Sequence, residues 1–169
     1  MDIHIREARQ SDLEPTRHLV VAAFHDNAPQ ETAAFLDALR GEGCILGEWL
    51  AEDASGPIGH IVFSRVWVET QDGGRIDAAM LTPLAVRPDR QRKGIGAALT
   101  RAALMALETR GETMFFVLGH PAFYPRMGFD AAKAAQVESP WGARPAFMAR
   151  CGVAPTGRLV LPKAIDEAH

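Results

Sequence analysis

The spacing of apolar residues divides the chain into a helical beginning, a strand-rich middle and a mixed remainder. Ile3 and Ile5 alternate with His4 and Arg6, which predicts a short strand. Ser11 with Glu14 three positions on reads as a capping box. The helix it opens turns Leu13, Leu19, Val20, Ala23 and Phe24 inward. Asn27-Ala28-Pro29 breaks it, and a second helix is expected over 30–40, with Phe35, Leu36 and Leu39 apolar and Gly41 as its stop. From Cys44 onward the pattern favours strands over 45–52, 58–70 and 75–86. The turn clusters at 53–57 and at Asp72-Gly73-Gly74 join them into an antiparallel meander.

Helical spacing returns at Gly94, with Ile95, Ala98, Leu99, Ala102, Ala103, Ala106 and Leu107 on one side and Gly111 just past the end. The run TMFFVL over 113–118 is continuously apolar, as a strand buried on both faces would be. Strand, helix and strand at this spacing predict a parallel pair joined by a right-handed crossover. The segment 131–144 reads as loop, and strands at 146–150 and 158–161 are expected to close the chain as a hairpin around Pro155-Thr156-Gly157.

A chain of 169 residues with 47% hydrophobic and 23% charged residues suits a single domain over 1–169. Its net charge of −3 provides no global basic field for nucleic acid. No apolar run is long enough to span a bilayer, and the N-terminus lacks the apolar core of a signal peptide. Cys44 and Cys151 stand alone, which fits a reducing compartment, so a cytoplasmic location is the expectation. His4, His18, His25 and His169 show no metal-ligand spacing, and no metal is expected.

Against that mildly acidic background one stretch is locally basic. Leu84-Ala85-Val86 ends an apolar run, Arg87, Arg90, Arg92 and Lys93 follow in a loop, and Gly94-Ile95-Gly96 opens a helix. Strand, glycine-bearing loop and helix start bring backbone N–H groups together on an anion, which approaches closely where no Cβ intervenes. Two phosphate loops are excluded. The dinucleotide fingerprint needs a third glycine where Leu99 stands, and the P-loop needs GxxxxGK followed by Ser or Thr, which is absent.

Gln91-x-x-Gly94-x-Gly96, preceded by Leu-x-Val, resembles the acetyl-CoA loop of the GCN5-related N-acetyltransferase (GNAT) family. One strand later, Phe123, Tyr124, Gly128 and Phe129 form Phe-Tyr-x-x-x-Gly-Phe, similar to the family's second signature. The form GHPxxYPRxGF resembles that of a subgroup of uncharacterised acetyltransferases. The resemblance is specific from Leu81 to Phe129. It departs where many members carry an asparagine at the end of the preceding strand and this chain has Gly119-His120-Pro121.

The resemblance implies an α/β (α+β) fold with a mixed, mostly antiparallel sheet, a central splayed parallel pair and flanking helices. Pro83 then marks where pairing is abandoned and the cofactor's pantetheine arm enters the gap. The implied activity is transfer of an acetyl group from acetyl-CoA to an amine by direct attack. The alternative is a catalytically silent acyl-CoA-binding or sensor module on the same fold. Cofactor contacts are implied at Leu84, Ala85, Val86, Gln91, Arg92, Lys93, Gly94, Ile95, Gly96, Ala97 and Tyr124, with N–H of Val86 or Leu84 as donor to the thioester oxygen. Arg90 is a further candidate phosphate contact, and Gln91 is expected to hold the loop's shape. Tyr124 is the implied general acid. His120 is a candidate base or a cap of the following helix, and His60, Glu69 and Asp77 are further candidate bases. The expected acceptor is a small-molecule or peptide amine, framed by the two N-terminal helices. Neither nucleic acid nor membrane is an expected partner, and the oligomeric state stays open, a homodimer included.

Overall fold

The structure is a computed structural model describing residues 2–168. The chain opens with β1 (His4–Glu7), α1 (Leu13–Ala23) and α2 (Pro29–Glu42). The meander follows as β2 (Ile45–Asp53), β3 (Gly56–Glu69) and β4 (Arg75–Val86). Then come α3 (Ile95–Thr109), β5 (Phe115–Leu118), α4 (Ala131–Ala134), β6 (Val137–Glu138), β7 (Phe147–Arg150), β8 (Gly157–Val160) and α5 (Lys163–Glu167). The strands form one sheet in the order β1-β2-β3-β4-β5-β7, with β8 on β3 and β6 on β8. Pairing is antiparallel except for β4 with β5 and the short β6 with β8. The mixed, mostly antiparallel sheet flanked by helices is the architecture expected from the sequence.

Several local expectations are corrected. The first helix is not capped by Ser11. A short 3₁₀ turn, Gln10–Asp12, precedes it, and the Asp12 carboxylate takes the Arg9 N–H at 2.6 Å and the Arg6 guanidinium at 2.8 Å. The carboxylate thus braces the turn that leads into the helix, through charge-assisted bonds to Arg6, and no side chain caps α1 itself. Gly41 lies inside α2, and the residue past its end is Gly43, whose φ of 68° is the left-handed conformation a helix stop requires. The segment read as loop holds α4 and β6.

The expected closing hairpin does not form. β7 pairs with β5, from Phe115 opposite Arg150 to Leu118 opposite Phe147. β8 instead lies against β3 at Trp67, Val68 and Glu69, beyond the end of β2. Each strand satisfies an edge that would otherwise leave backbone groups unpaired, and those two edges are on different sides of the sheet.

Both faces of the sheet are covered. On one, Ile61, Phe63, Ala79, Leu81, Phe115 and Val117 pack against Leu99, Ala103 and Leu107 of α3. On the other, Val62 and Ala85 meet Val20 of α1 and Leu36 of α2. That second face also encloses a polar cluster. His60, fully buried, contacts Glu48 through Nε2 at 2.8 Å, and Arg40 Nη2 donates to the same carboxylate at 2.8 Å and to Thr16 Oγ1 at 2.9 Å. Burial pushes the Glu48 carboxyl up, but hydrogen bonds from His60 and Arg40 outweigh it and hold the group at about 2, below its ordinary 4.5. A carboxylate held low in the fold stabilises it fully above pH 4.5, and the contribution is lost as pH falls toward 2. Glu48→Gln removes the charge and leaves Arg40 uncompensated. Urea unfolding at pH 7 is expected to show a loss of about 3 kcal/mol, and the acid limb between pH 4.5 and 2 should be flatter than in the parent. An unchanged acid limb would show that the cluster is not what acid dismantles.

Candidate functional site

The site begins where β4 parts from β5. Their parallel pairing covers Ala79 with Phe115, Met80 with Phe116 and Leu81 with Val117, and stops there. Gly119 N–H turns the following chain toward Ala146 O at 2.9 Å, so β5 leaves with β7. β4 continues alone against β3, after a bulge that sets Leu81 opposite Phe63 but Leu84 opposite Ile61. Pro83 sits in that bulge, where its missing N–H interrupts no ladder. The extra residue resets the side-chain alternation, so Leu84 and Val86 join Leu81 on the α3 face. Arg87 N–H donates to Ile58 O at 2.9 Å. By the alternation of an antiparallel ladder, Ala85 then faces β3 and the N–H groups of Leu84 and Val86 face the gap. Gln91 Nε2 donates to Val86 O at 3.0 Å and ties the loop to this strand.

The basic loop is less uniformly positive than its sequence. Arg87 pairs with Asp89 at 2.7 Å, and Arg90 pairs with Asp53 at 3.1 Å and Asp89 at 2.8 Å. The Ser55 hydroxyl and N–H, with Arg90 beside them, hold the Asp53 carboxyl at about 2. Arg92 and Lys93 make no ion pair among the described residues. Arg92, at φ 62°, and Gly94, at φ 81°, turn the chain into α3 through left-handed backbone.

The two glycines serve different ends. Gly94 is required by conformation, since a Cβ there would meet open space. Gly96 leaves room instead: a Cβ there would make ordinary contacts, 3.6 Å from Leu84 Cδ2, 3.6 Å from Phe123 Cζ and 3.7 Å from Val86 Cγ2, and would narrow the cleft these residues line. No side chain caps α3, and its first bond to Gly94 O comes from Ala98. The N–H groups of Ile95, Gly96 and Ala97 therefore lack an acceptor among the described residues.

Tyr124 closes the cleft. Its ring packs edge-on against Phe123 and Phe129, and it is 6% exposed. A Cβ on Gly119 would collide with that ring, so the glycine at the end of β5 makes the room in which Tyr124 lies. The hydroxyl has no hydrogen-bond partner among the described residues, and burial pushes its pKa up to about 12. It stays protonated through the neutral range. His120 lines the same cleft with an exposed side chain; its main-chain carbonyl, not its ring, takes the N–H of Phe123 and Tyr124.

The cleft encloses 630 Å³ and brings together Leu84, Val86, Gln91, Arg92 and the Gly94–Ala97 turn with His120 and Tyr124. Ala85 turns away into the opposite core, and Lys93 is exposed beside the cleft without lining it. Three of the further candidate bases lie elsewhere. His60 is sealed on the far face with Glu48, while Glu69 pairs with Arg158 and Asp77 with Arg75 near the other end of the meander. Among the described residues no three His, Cys, Asp or Glu side chains lie together as a metal site; His169 falls outside them. Phe123, Arg126 and Arg90 also line the cleft. Arg126 was legible only as part of the YPRxGF run, whose 3₁₀ turn, Tyr124–Met127, brings it to the wall.

Comparison with known proteins identifies the family and the fold. The family model described as Acetyltransferase (GNAT) domain matches residues 47–131, which contain the whole cleft. The uncharacterized N-acetyltransferase YjhQ of Escherichia coli strain K12 is 30% identical over 132 residues. That match covers 76% of this chain and 63% of the relative, so the chain spans less than two thirds of its length. The uncharacterized N-acetyltransferase YhbS of the same strain is 31% identical over 117 residues, 68% of each chain. Among solved structures, a GNAT family acetyltransferase from Brucella melitensis in complex with acetyl-CoA superposes with a TM-score of 0.81 at 30% identity, over 98% of this chain and 99% of that one. YhbS from Escherichia coli in complex with CoA gives 0.83 at 25% identity, over 97% and 92%.

Tyr124 is the only tyrosine of the chain, so its ionisation is directly readable. Absorbance at the tyrosinate band should rise with a midpoint near 12 rather than 10 in the folded protein. Because the folded pKa is raised, the stability this implies is intact below pH 10 and is lost as pH climbs toward 12. A midpoint at 10 in a protein still folded by circular dichroism would place the hydroxyl in bulk water.

Proposed function

The chain belongs to the GNAT acetyltransferase family, and from that premise we propose that it transfers an acetyl group from acetyl-CoA to an amine. The observation that carries this reading is the unpaired edge of β4, whose Leu84 and Val86 N–H groups face a cleft bounded by a free helix start and by the Tyr124 hydroxyl. The residues present fit the ligand. Gly96 leaves open the space a Cβ would fill, and the N–H groups of Ile95, Gly96 and Ala97 offer donors to a diphosphate. The Leu84 and Val86 N–H groups suit an extended amide-bearing arm, as a neighbouring strand would.

When bound, acetyl-CoA supplies an activated acyl carbon held as a thioester. One of the two β4 N–H groups, that of Val86 or Leu84, is the donor for its carbonyl oxygen as negative charge develops there, and the other remains for the arm. The amine's nitrogen–carbon bond forms as the carbon–sulfur bond breaks. Tyr124 gives its proton to the departing sulfur, and its raised pKa keeps that proton available at every physiological pH. His120, whose imidazole lines the cleft, is the group we assign to take the proton the amine loses.

Two substitutions separate binding from chemistry. Gly96→Val fills the cleft without straining the helix, so it should fold normally and lose at least tenfold in CoA affinity by calorimetry; unchanged affinity would remove the helix start from the site. Tyr124→Phe deletes one oxygen and keeps the ring, so CoA affinity should stay within about twofold while kcat falls on the order of 10²–10⁴-fold. Normal turnover by that variant would mean that solvent protonates the thiolate. Tight CoA binding with no turnover on any amine would favour the silent binding module.

A further inference from the structure

We propose that Arg126 forms a subsite for the ribose 3′-phosphate of CoA, distinct from the diphosphate site at the start of α3; the inference rests on the acetyl-CoA reading above.

The cleft is ordered from inside to outside. Tyr124 is buried at its closed end. Phe123 is half-buried, with its ring edge 3.6 Å from where a Cβ on Gly96 would stand, which sets it level with the free N–H groups of α3. Arg126 is exposed, and its guanidinium carbon lies 5.1 Å from the centroid of the Phe123 ring. A ligand that puts its thioester at Tyr124 and its diphosphate at Gly96 therefore extends toward Arg126 with whatever follows the diphosphate. In CoA that is the ribose with its 3′-phosphate.

The charge pattern agrees. Among the described residues no carboxylate lines the cleft, although the chain carries a net charge of −3. Arg90 is already neutralised by Asp53 and Asp89. Arg126 has no acidic partner among the described residues: Nε reaches only Phe123 O, at 3.5 Å, and the guanidinium is otherwise held by the ring. Stacking on an aromatic face fixes the plane of the guanidinium and leaves its terminal N–H groups free for a doubly charged phosphate. The diphosphate has its own donors in the α3 first turn and in Arg92 of the loop that precedes it. Two cation sources on two separate segments, that loop and the turn Tyr124–Met127, match two separate anionic groups on one ligand.

The test compares CoA with 3′-dephospho-CoA by calorimetry on the full chain. The parent should bind CoA about tenfold or more tightly than dephospho-CoA, with the gap narrowing as salt rises. Arg126→Gln should lose about tenfold for CoA and less than twofold for dephospho-CoA, abolishing the preference. Arg126→Lys should restore part of it. Arg126→Glu should reverse it, and because the side chain is exposed all three variants should keep the parent melting temperature. If Arg126→Gln weakens both ligands equally, Arg126 meets the diphosphate and the subsite is wrong. If it weakens neither, the residue is a surface charge. If the parent binds neither ligand, the acetyl-CoA reading falls and the subsite falls with it, an outcome distinct from the other two.

Discussion

Everything at the site depends on one broken partnership. β4 is a central strand, and for three residue pairs it is bonded on both sides. After Leu81 it keeps β3 and loses β5. Buried backbone N–H and C=O groups are costly to leave unmade, so such an edge persists only where solvent or a ligand can reach it. The cleft at Leu84 and Val86 is that access. The rest of the fold keeps the gap open: β7 gives β5 a partner elsewhere, β3 holds β4 straight, and α3 packs beneath both.

The second determinant is steric. A tyrosine at the closed end needs space that a side chain on residue 119 would occupy, and glycine there provides it. The ring is then fixed by Phe123 and Phe129, and its hydroxyl is left without a partner among the described residues. Burial without a partner is what raises the pKa, so the same packing that orients the group also keeps it protonated.

Electrostatics sort residues that look alike in sequence. Four basic side chains stand within seven positions, yet Arg87 and Arg90 are spent on Asp89 and Asp53, whereas Arg92 and Lys93 make no ion pair among the described residues. Another cation without an acidic partner among the described residues, Arg126, reaches the cleft from the turn Tyr124–Met127. Likewise His60, which shares a residue type with His120, is locked against Glu48 on the other face and has no route to the cleft.

The sequence by itself determined what depends on neighbours along the chain. The meander, the helix from Gly94, the left-handed stop at Gly111 and the strand after it follow from periodicity and from glycine's freedom, which act over a few residues. The two motifs were legible for the same reason, since each is a local turn with a fixed purpose. Tertiary structure alone decided the rest. β7 and β8 have strand character in sequence, but which edge each satisfies depends on where β2 and β4 stop pairing. Which glycine gives room and which gives conformation depends on what stands opposite, and that is Leu84, Val86 and Phe123, far along the chain. Whether an arginine is free depends on carboxylates as distant as Asp53 from Arg90. Propensity is a property of a segment, whereas exposure, pairing and charge balance are properties of the contacts that segment makes after folding.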